Sequence, residues 1–254
     1  MATLHEITTY FDELLGLAKI PTDSSNNGLQ VEGKQAVNKI LFSVDASLEL
    51  FEIAAANKAD MVFVHHGISW GGNPKRFSGM DGNRLRTLFC NDISLYAMHL
   101  PLDAHPEYGH NACLATMLGL EGQIMFAKYC GVEIGVIGRL SEPLTPREIA
   151  DSLDAKLDGE SMIFGDPTTA VSKVGIISGG AGYEGINEAI NLGLDCFITG
   201  EVGHSSYHLI KESGMPVIAL GHYASEKPGV MKSMELVQDK FNIDCEFIDI
   251  PTGL

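Results

Sequence analysis

Two adjacent histidines, His65 and His66, close an apolar run that reads DMVFVHHG at 60–67. Farther on, HLPLD carries His99 and Asp103, and HYASE carries His222 and Glu226. In both segments a histidine is followed by three residues and then a carboxylate. Imidazole and carboxylate are donors that suit Zn, Mn, Fe and related divalent ions. Neighbours on a regular strand point to opposite sides, so His65 and His66 cannot easily chelate one ion. At a strand end the backbone can twist, and each histidine can serve a different ion. That suits two metals about 3.5–4 Å apart sharing a carboxylate. Glu226, with two oxygens to offer, is the natural bridge. Any one of these histidines alone is as readily a polar strand end or a hydrogen-bonded core residue. Three such clusters among nine histidines favour the metal reading.

The elements that position these residues follow from periodicity. Leu4, Ile7, Phe11, Leu14 and Leu15 recur at helical spacing, which predicts an amphipathic helix over 4–18. A strand over 39–47, a helix over 47–59 and a strand over 60–67 form a βαβ unit. The continuous apolar run of its second strand implies cover on both faces, as in a parallel sheet. His65 and His66 then fall at the C-terminal edge of the sheet, where open α/β sheets gather ligands. A glycine-rich irregular segment follows, then a helix over 83–92, a strand running into a loop through HLPLD, and a helix over 110–120. The pattern returns as a strand at 173–180, a helix at 183–193, a strand at 194–201, a helix at 207–214, and a strand running into a loop through HYASE. EPLTPREIADSLDAKLDG, at 142–159, reads as a loop and then a helix with Pro146 near its first turn. The order repeats: strand, helix, strand, helix, strand, polar loop. The expected fold class is therefore α/β, with two pseudo-duplicated lobes whose sheets are flanked by helices. The first lobe is expected over 1–125 and the second over 126–254, with the C-terminal segment packing back on the first.

Composition narrows the class. The 254 residues are 45% hydrophobic and 20% charged, an ordinary globular balance that can bury a core without staples. Seventeen basic residues against 33 acidic give a net charge of −16, which argues against direct nucleic-acid binding. A phosphorylated substrate is still compatible, because a bound cation supplies local positive charge. Five cysteines without a CxxC pair read as reduced thiols. MATLHEITTYFDELL lacks the basic and apolar regions of a signal peptide, and no run approaches the roughly 20 apolar residues that span a bilayer. The expected compartment is the cytoplasm, with no membrane contact.

Four segments in order, VHHGISWGGNPKRFSG, MHLPLDAHPEYGHN, ITGEVGHSSYH and ALGHYASEKPGV, resemble the NIF-three-like family, also described as the GTP cyclohydrolase 1 type 2 family. The likeness runs from the first helix to about residue 240, in the compact form without an inserted domain. It implies that His65, His66, Asp103, His222 and Glu226 bind two divalent metal ions, with Glu226 bridging. In that reading His66 and Asp103 complete one ion's sphere, and His65 and His222 the other's. It also implies that the two α/β lobes are interlaced, and a homo-oligomer, a toroidal hexamer with the metal sites facing inward.

The implied activity is hydrolytic opening of a purine nucleotide ring by metal-activated water attacking C8, with release of formate. His99 is the candidate for proton transfer; its structural alternative is to orient Asp103. Lys75 and Arg76, in the loop after the histidine pair, are candidate phosphate contacts. Trp70 could stack on a base, and Glu201 and His204 could line the cleft. His105, His110 and His208 have weaker claims. The glycine turn ISGGAGYEG follows a strand but lacks the GxGxxG spacing and any Walker lysine, so it reads as a tight strand–helix turn. Mixed nitrogen and oxygen ligands admit Zn, Mn, Fe, Co or Ni. The competing class is a metal-binding regulatory or protein-interaction protein without turnover.

Overall fold

The structure is a computed structural model that describes residues 2–17, 20–72 and 76–254. It is α/β and gathers into two compact units, 1–102 with 230–250 and 103–229 with 251–254. The chain leaves the first unit at Leu102, upstream of the 125–130 region expected from the repeat, and re-enters it at Val230.

The first unit opens with β1 (Ala2–Thr3) and α1 (Leu4–Leu14). Next come β2 (Gly28–Val31), β3 (Ala36–Val37), β4 (Lys39–Asp45), α2 (Leu48–Ala56), β5 (Met61–His66), α3 (Gly79–Cys90) and β6 (Ser94–Ala97). A capping box starts α1: Glu6 N–H donates to Thr3 Oγ1 at 3.2 Å, and Thr3 N–H donates to Glu6 Oε2 at 2.8 Å. Both satisfy donors that a helix start leaves free. The sheet runs β13-β4-β5-β6-β2, where β13 (Asp244–Phe247) comes from the returning segment and pairs parallel with β4. β4, β5 and β6 are mutually parallel, and β2 closes the other edge antiparallel.

Alternation along the strands shows why the run before His65 is wholly apolar. Ile40, Phe42, Met61, Phe63 and Tyr96 enter one core cluster with Ile7 and Phe11 of α1. Leu41, Val62, Val64 and Leu95 enter the other, with Leu50 of α2 and Leu88 of α3. Both faces of the sheet are covered, so both sets of alternating positions in Met61–Val64 are apolar.

The chain continues through α4 (Leu100–Asp103), α5 (His110–Met117), β7 (Glu121–Tyr129), β8 (Val132–Leu144), α6 (Pro146–Leu157) and β9 (Met162–Phe164). Then follow β10 (Val171–Ile177), α7 (Gly182–Asn191), β11 (Cys196–Thr199), a 3-10 turn (His204–Ser206), α8 (Tyr207–Ser213), β12 (Val217–Ala219) and α9 (His222–Phe241). The second sheet is ordered β7-β8-β10-β11-β12-β9. Its parallel centre, β10-β11-β12, has an antiparallel strand on either side.

The internal repeat extends farther than strand order. Thr145 and Glu148 cap α6 with the same reciprocal bonds, 3.2 and 2.8 Å, that Thr3 and Glu6 make at α1. Each capped helix is followed by the antiparallel edge strand and then the three parallel strands. Before β5, Asp60 Oδ2 accepts the amides of Asn38 and Lys39; before β11, Asp195 Oδ2 accepts those of Ser172 and Lys173.

Three local expectations change. Neither segment after the third parallel strand is a loop: HLPLD leads into α4, and HYASE is the start of the 20-residue α9. A histidine and a carboxylate four residues apart match one helical turn, so the spacing itself carried the helix signal. Pro101 and Pro228 obscured it; Pro101 sits in the opening turn of α4, where proline is tolerated, and Pro228 lies inside α9. Residues 142–144 are the end of β8 and not a loop.

Candidate metal centre

In the first unit, β5 and β6 bring three histidines together. The ring centroids of His65 and His66 are 4.4 Å apart, and that of His99 is 5.1 Å and 5.6 Å from them. Each of the three can present a ligand nitrogen within 4.8 Å of the others. All three are oriented alike. His65, fully buried, donates from Nδ1 to the Met98 carbonyl at 2.9 Å. His66 donates from Nδ1 to Asp45 Oδ1 at 2.8 Å, and His99 from Nδ1 to Asp23 Oδ1 at 2.9 Å. A carbonyl or carboxylate oxygen only accepts, so in each neutral ring the proton is on Nδ1 and the lone pair on Nε2. That is how an outer oxygen prepares a histidine to bind a metal.

Asp23 is the most firmly held of these acceptors. Burial by itself would raise its pKa, but bonds from His99, Asn27 and the Ser25 amide outweigh that and hold it down at about 2. Its second oxygen also accepts the Leu100 amide at 3.0 Å, and Asn27 Oδ1 accepts the His99 amide at 2.7 Å. Trp70 packs edge-on to His99 at 5.0 Å while its Nε1 donates to Gly67 O. Gln30 Oε1 accepts the amides of Ile68 and Ser69, which fixes the backbone just after the histidine pair.

In the second unit the first turn of α9 carries His222 and Glu226. His222 Nε2 lies 3.2 Å from Glu226 Oε1, and its Nδ1 lies 3.4 Å from Glu201 Oε2. The bond to Glu226 and the two carboxylate charges outweigh the opposing effect of burial and push His222 up to about 9. A metal that takes a nitrogen of this ring must displace a proton. Glu226 is only 3% exposed.

Glycines make room for this turn. Gly179, at φ +61°, is so close that a Cβ there would lie 2.2 Å from Glu226 Oε1 and 3.1 Å from His222 Nε2. A Cβ on Gly200 would lie 2.6 Å from Ser225 Oγ and 2.8 Å from His222 Cα. Ser225 Oγ accepts the Gly179 amide and donates to the His222 carbonyl, both at 2.9 Å. The ISGGAG turn is thus the seat of the Glu226 carboxylate.

Asp103, also buried, ends α4. Ser178 Oγ is 3.5 Å from its Oδ1, and the Asn111 side chain donates to its carbonyl at 3.4 Å. His110, fully buried, can place a nitrogen within 4.8 Å of an Asp103 oxygen. Because His110 Nδ1 accepts the Gly229 amide at 3.1 Å, the neutral ring carries its proton on Nε2. That nitrogen is a donor suited to a carboxylate and not to a metal. His110 stands beside Asp103, a placement its position in HNACL did not reveal.

The remaining candidates separate. Arg76 is exposed, and Lys75 lies outside the described residues. His204 and His208 are exposed. His105 accepts the Tyr108 amide at 3.0 Å and stacks on that ring, a local loop brace. Asp23 and Asp45 hold two of the candidate histidines and Gly179 makes room for Glu226, contacts that no local sequence pattern marks. Asp23 and Asp45 precede their histidines by 76 and 21 residues, a pairing only the fold creates.

The donors fit divalent metal ions. Taken separately, the first unit carries imidazoles whose Nδ1 is tied to an oxygen, and the second carries buried carboxylates with space cleared around one of them. Fold and donor set together define an α/β protein with clustered metal-ligand side chains.

The chain belongs to the Duf34/NIF3 (NGG1p interacting factor 3) family, whose profile matches residues 2–253. The GTP cyclohydrolase 1 type 2 homolog of Archaeoglobus fulgidus is 45% identical over 251 residues, covering 99% of each chain. The protein of the same description from Pyrococcus horikoshii is 45% identical over 252 residues, covering 98% of each. The solved structure of protein ybgI, of unknown function, superposes with a TM-score of 0.90 at 38% identity, covering 99% of this chain and 100% of the other. Among the described residues, no helix is long and apolar enough to cross a membrane.

Proposed function

We propose that this chain is a dinuclear-metal-dependent hydrolase that opens the ring of a purine nucleotide, in the manner the name of its GTP cyclohydrolase 1 type 2 relatives suggests. The supporting observation is the common orientation of His65, His66 and His99, each with Nδ1–H tied to an oxygen. Structural histidines have no reason to share one tautomer; metal-binding histidines do. In this reading His65, His66, Asp103, His222 and Glu226 hold two divalent ions, which lower the pKa of water and polarise the bond under attack. Zn, Mn, Fe, Co and Ni all accept such donors.

The chain's own groups divide the remaining tasks. Glu226 has two carboxylate oxygens that would serve the two ions, and Gly179 leaves room beside one of them. Asp103 adds a second negative charge against the two cations. His99, with its proton fixed on Nδ1 by Asp23, carries a lone pair on Nε2 that can accept a proton and return it. Trp70 offers an aromatic face beside it. Arg76 and Lys75 are kept as phosphate contacts. The protein acts in the cytoplasm as a homo-oligomer, with a hexamer as the assembly to look for by light scattering.

Purified protein loaded with Mn, Zn or Fe is expected to release formate from GTP, and a Glu226→Ala variant to release none. Two bound metals per chain with no turnover on a broad nucleotide panel would sink the hydrolase reading. It would favour a metal-binding interaction protein, the role that the family description as an interacting factor suggests.

A further inference from the structure

A pocket of about 560 Å³ lies in the first unit beside the loop that follows His66. Ser69 and Ile68 form one wall, the edge strand β2 another through Val31, and α3 with Phe77 a third. That volume is in the range of sites for small organic ligands. Phe77 and Phe89 line it while remaining 63% and 58% exposed, so two aromatic side chains face solvent at one opening.

Charge distinguishes this opening from the rest of the surface. The chain has a net charge of −16, yet Arg76, Arg84 and Arg86, three of its five arginines, fall within 11 residues that contain a single acid, Asp81. Arg84, Arg86 and Asp81 all line the pocket. Arg86 donates to Asn83 Oδ1 at 3.0 Å, and the Nε of Arg84 is buried without an acceptor among the described residues. Neither arginine pairs with a carboxylate among those residues, in a chain with 33 acids. Two guanidinium groups that form no ion pair among the described residues, set beside aromatic rings, suit a ligand that joins a phosphate to a flat ring system.

We propose that this pocket binds a purine nucleotide, with phosphate on Arg84 and Arg86 and the base against Phe77 and Phe89. Asp81 can accept the two adjacent N–H donors on the guanine edge, which adenine lacks, so GTP is preferred over ATP. The assignment extends the nucleotide reading above by giving the substrate a holding surface, and it needs no metal.

The test uses the full chain stripped of metal with EDTA, with GTP and ATP as probes. Binding is followed by calorimetry and by fluorescence of Trp70, the only tryptophan and the neighbour of Ser69. GTP is expected to bind, and an Arg84→Gln/Arg86→Gln variant to raise its Kd about tenfold or more, the scale of losing charged hydrogen bonds. Phe89→Ala, at an exposed position, is expected to weaken binding by a smaller factor with the melting midpoint unchanged, which guards against misfolding of the arginine variant. Asp81→Asn should narrow the gap between GTP and ATP. Unchanged GTP affinity in the double variant, or no GTP binding by the wild-type chain at millimolar concentration, overturns the proposal. So does a variant that keeps its GTP affinity but changes its mass in solution, since the groove is then covered by a second copy. Arginine-dependent GTP binding without formate release keeps the pocket and removes the hydrolase reading, so the two fail separately.

Discussion

The two units use the same sheet edge in opposite ways. Val64 and Thr199 occupy equivalent registers, each the last residue of the middle parallel strand to pair with the third. Past that point the first unit has His65 and His66, and the second has Gly200 and Glu201. On the preceding strand the first unit has Asp45 where the second has Gly179: Ala46 N–H donates to His66 O, and Glu201 N–H to Gly179 O. The first unit therefore mounts its donors on the strand ends. The second has glycine at Gly179 and Gly200, keeps a side chain only at Glu201, and lets the first turn of α9 lie over the two glycines. The duplicated scaffold thus mounts imidazoles on the strand ends of one unit and leaves room for a buried carboxylate at the equivalent place in the other.

The comparison predicts that equivalent substitutions have unequal effects. Gly179→Ala should be the most damaging. Its Cβ would fall 2.2 Å from a Glu226 oxygen, at a φ of +61° that alanine resists. A destabilisation of about 2–4 kcal/mol is expected from overpacking and left-handed strain together. It should appear in denaturant melts together with loss of bound metal. An unchanged melt and full metal content would break the claim that glycine clears this site.

Asp45→Asn, at the equivalent register, should leave the fold nearly intact. By loosening the hold on His66 it should weaken metal binding about 10–100-fold, measured by competition with a chelator. Equal loss of stability in the two variants would erase the distinction between the units.

Asp23 gives a pH signature confined to the first unit. Its pKa is held at about 2 in the folded chain, below the ordinary 3.8. The stability it contributes is complete above the unfolded value and is lost as pH falls through 2. The scale is about 2 kcal/mol, since a tenfold change in proton affinity is worth roughly 1.4 kcal/mol. Asp23→Asn should therefore flatten the acid-unfolding curve between pH 4 and 2. An identical curve for the variant would show that Asp23 is not the group responsible.

Smallest of all, Thr3→Ala and Thr145→Ala should each cost about 0.5–2 kcal/mol, because the two capping boxes share their geometry. Here the units should agree, and a markedly unequal pair of melts would limit how far the duplication extends.

Some of this organisation was plain in the residues. Continuous apolar runs gave the buried parallel strands, and the paired H-x3-D/E spacings marked the segments after the third strand of each repeat. The β7–β8 hairpin was missed. Its turn places Cys130 at φ +46° and Gly131 at φ +87°, a conformation in which Asn or Asp would have been a visible signal and Cys is not. The matching T-x-x-E-I openings at Thr3 and Thr145 were present but lay outside the strands used to align the halves.

Which residues have metal-binding chemistry could be read from the chain alone, because donor type and spacing are local properties. How those donors are held depends on the fold. The pairing of His66 with Asp45 and of His99 with Asp23, and the seating of Glu226 over Gly179, join residues 21, 76 and 47 positions apart. No periodicity links positions so distant. They meet because parallel strands align their C-terminal ends, and hydrogen bonds of 2.8–2.9 Å then select one tautomer at each of His65, His66 and His99.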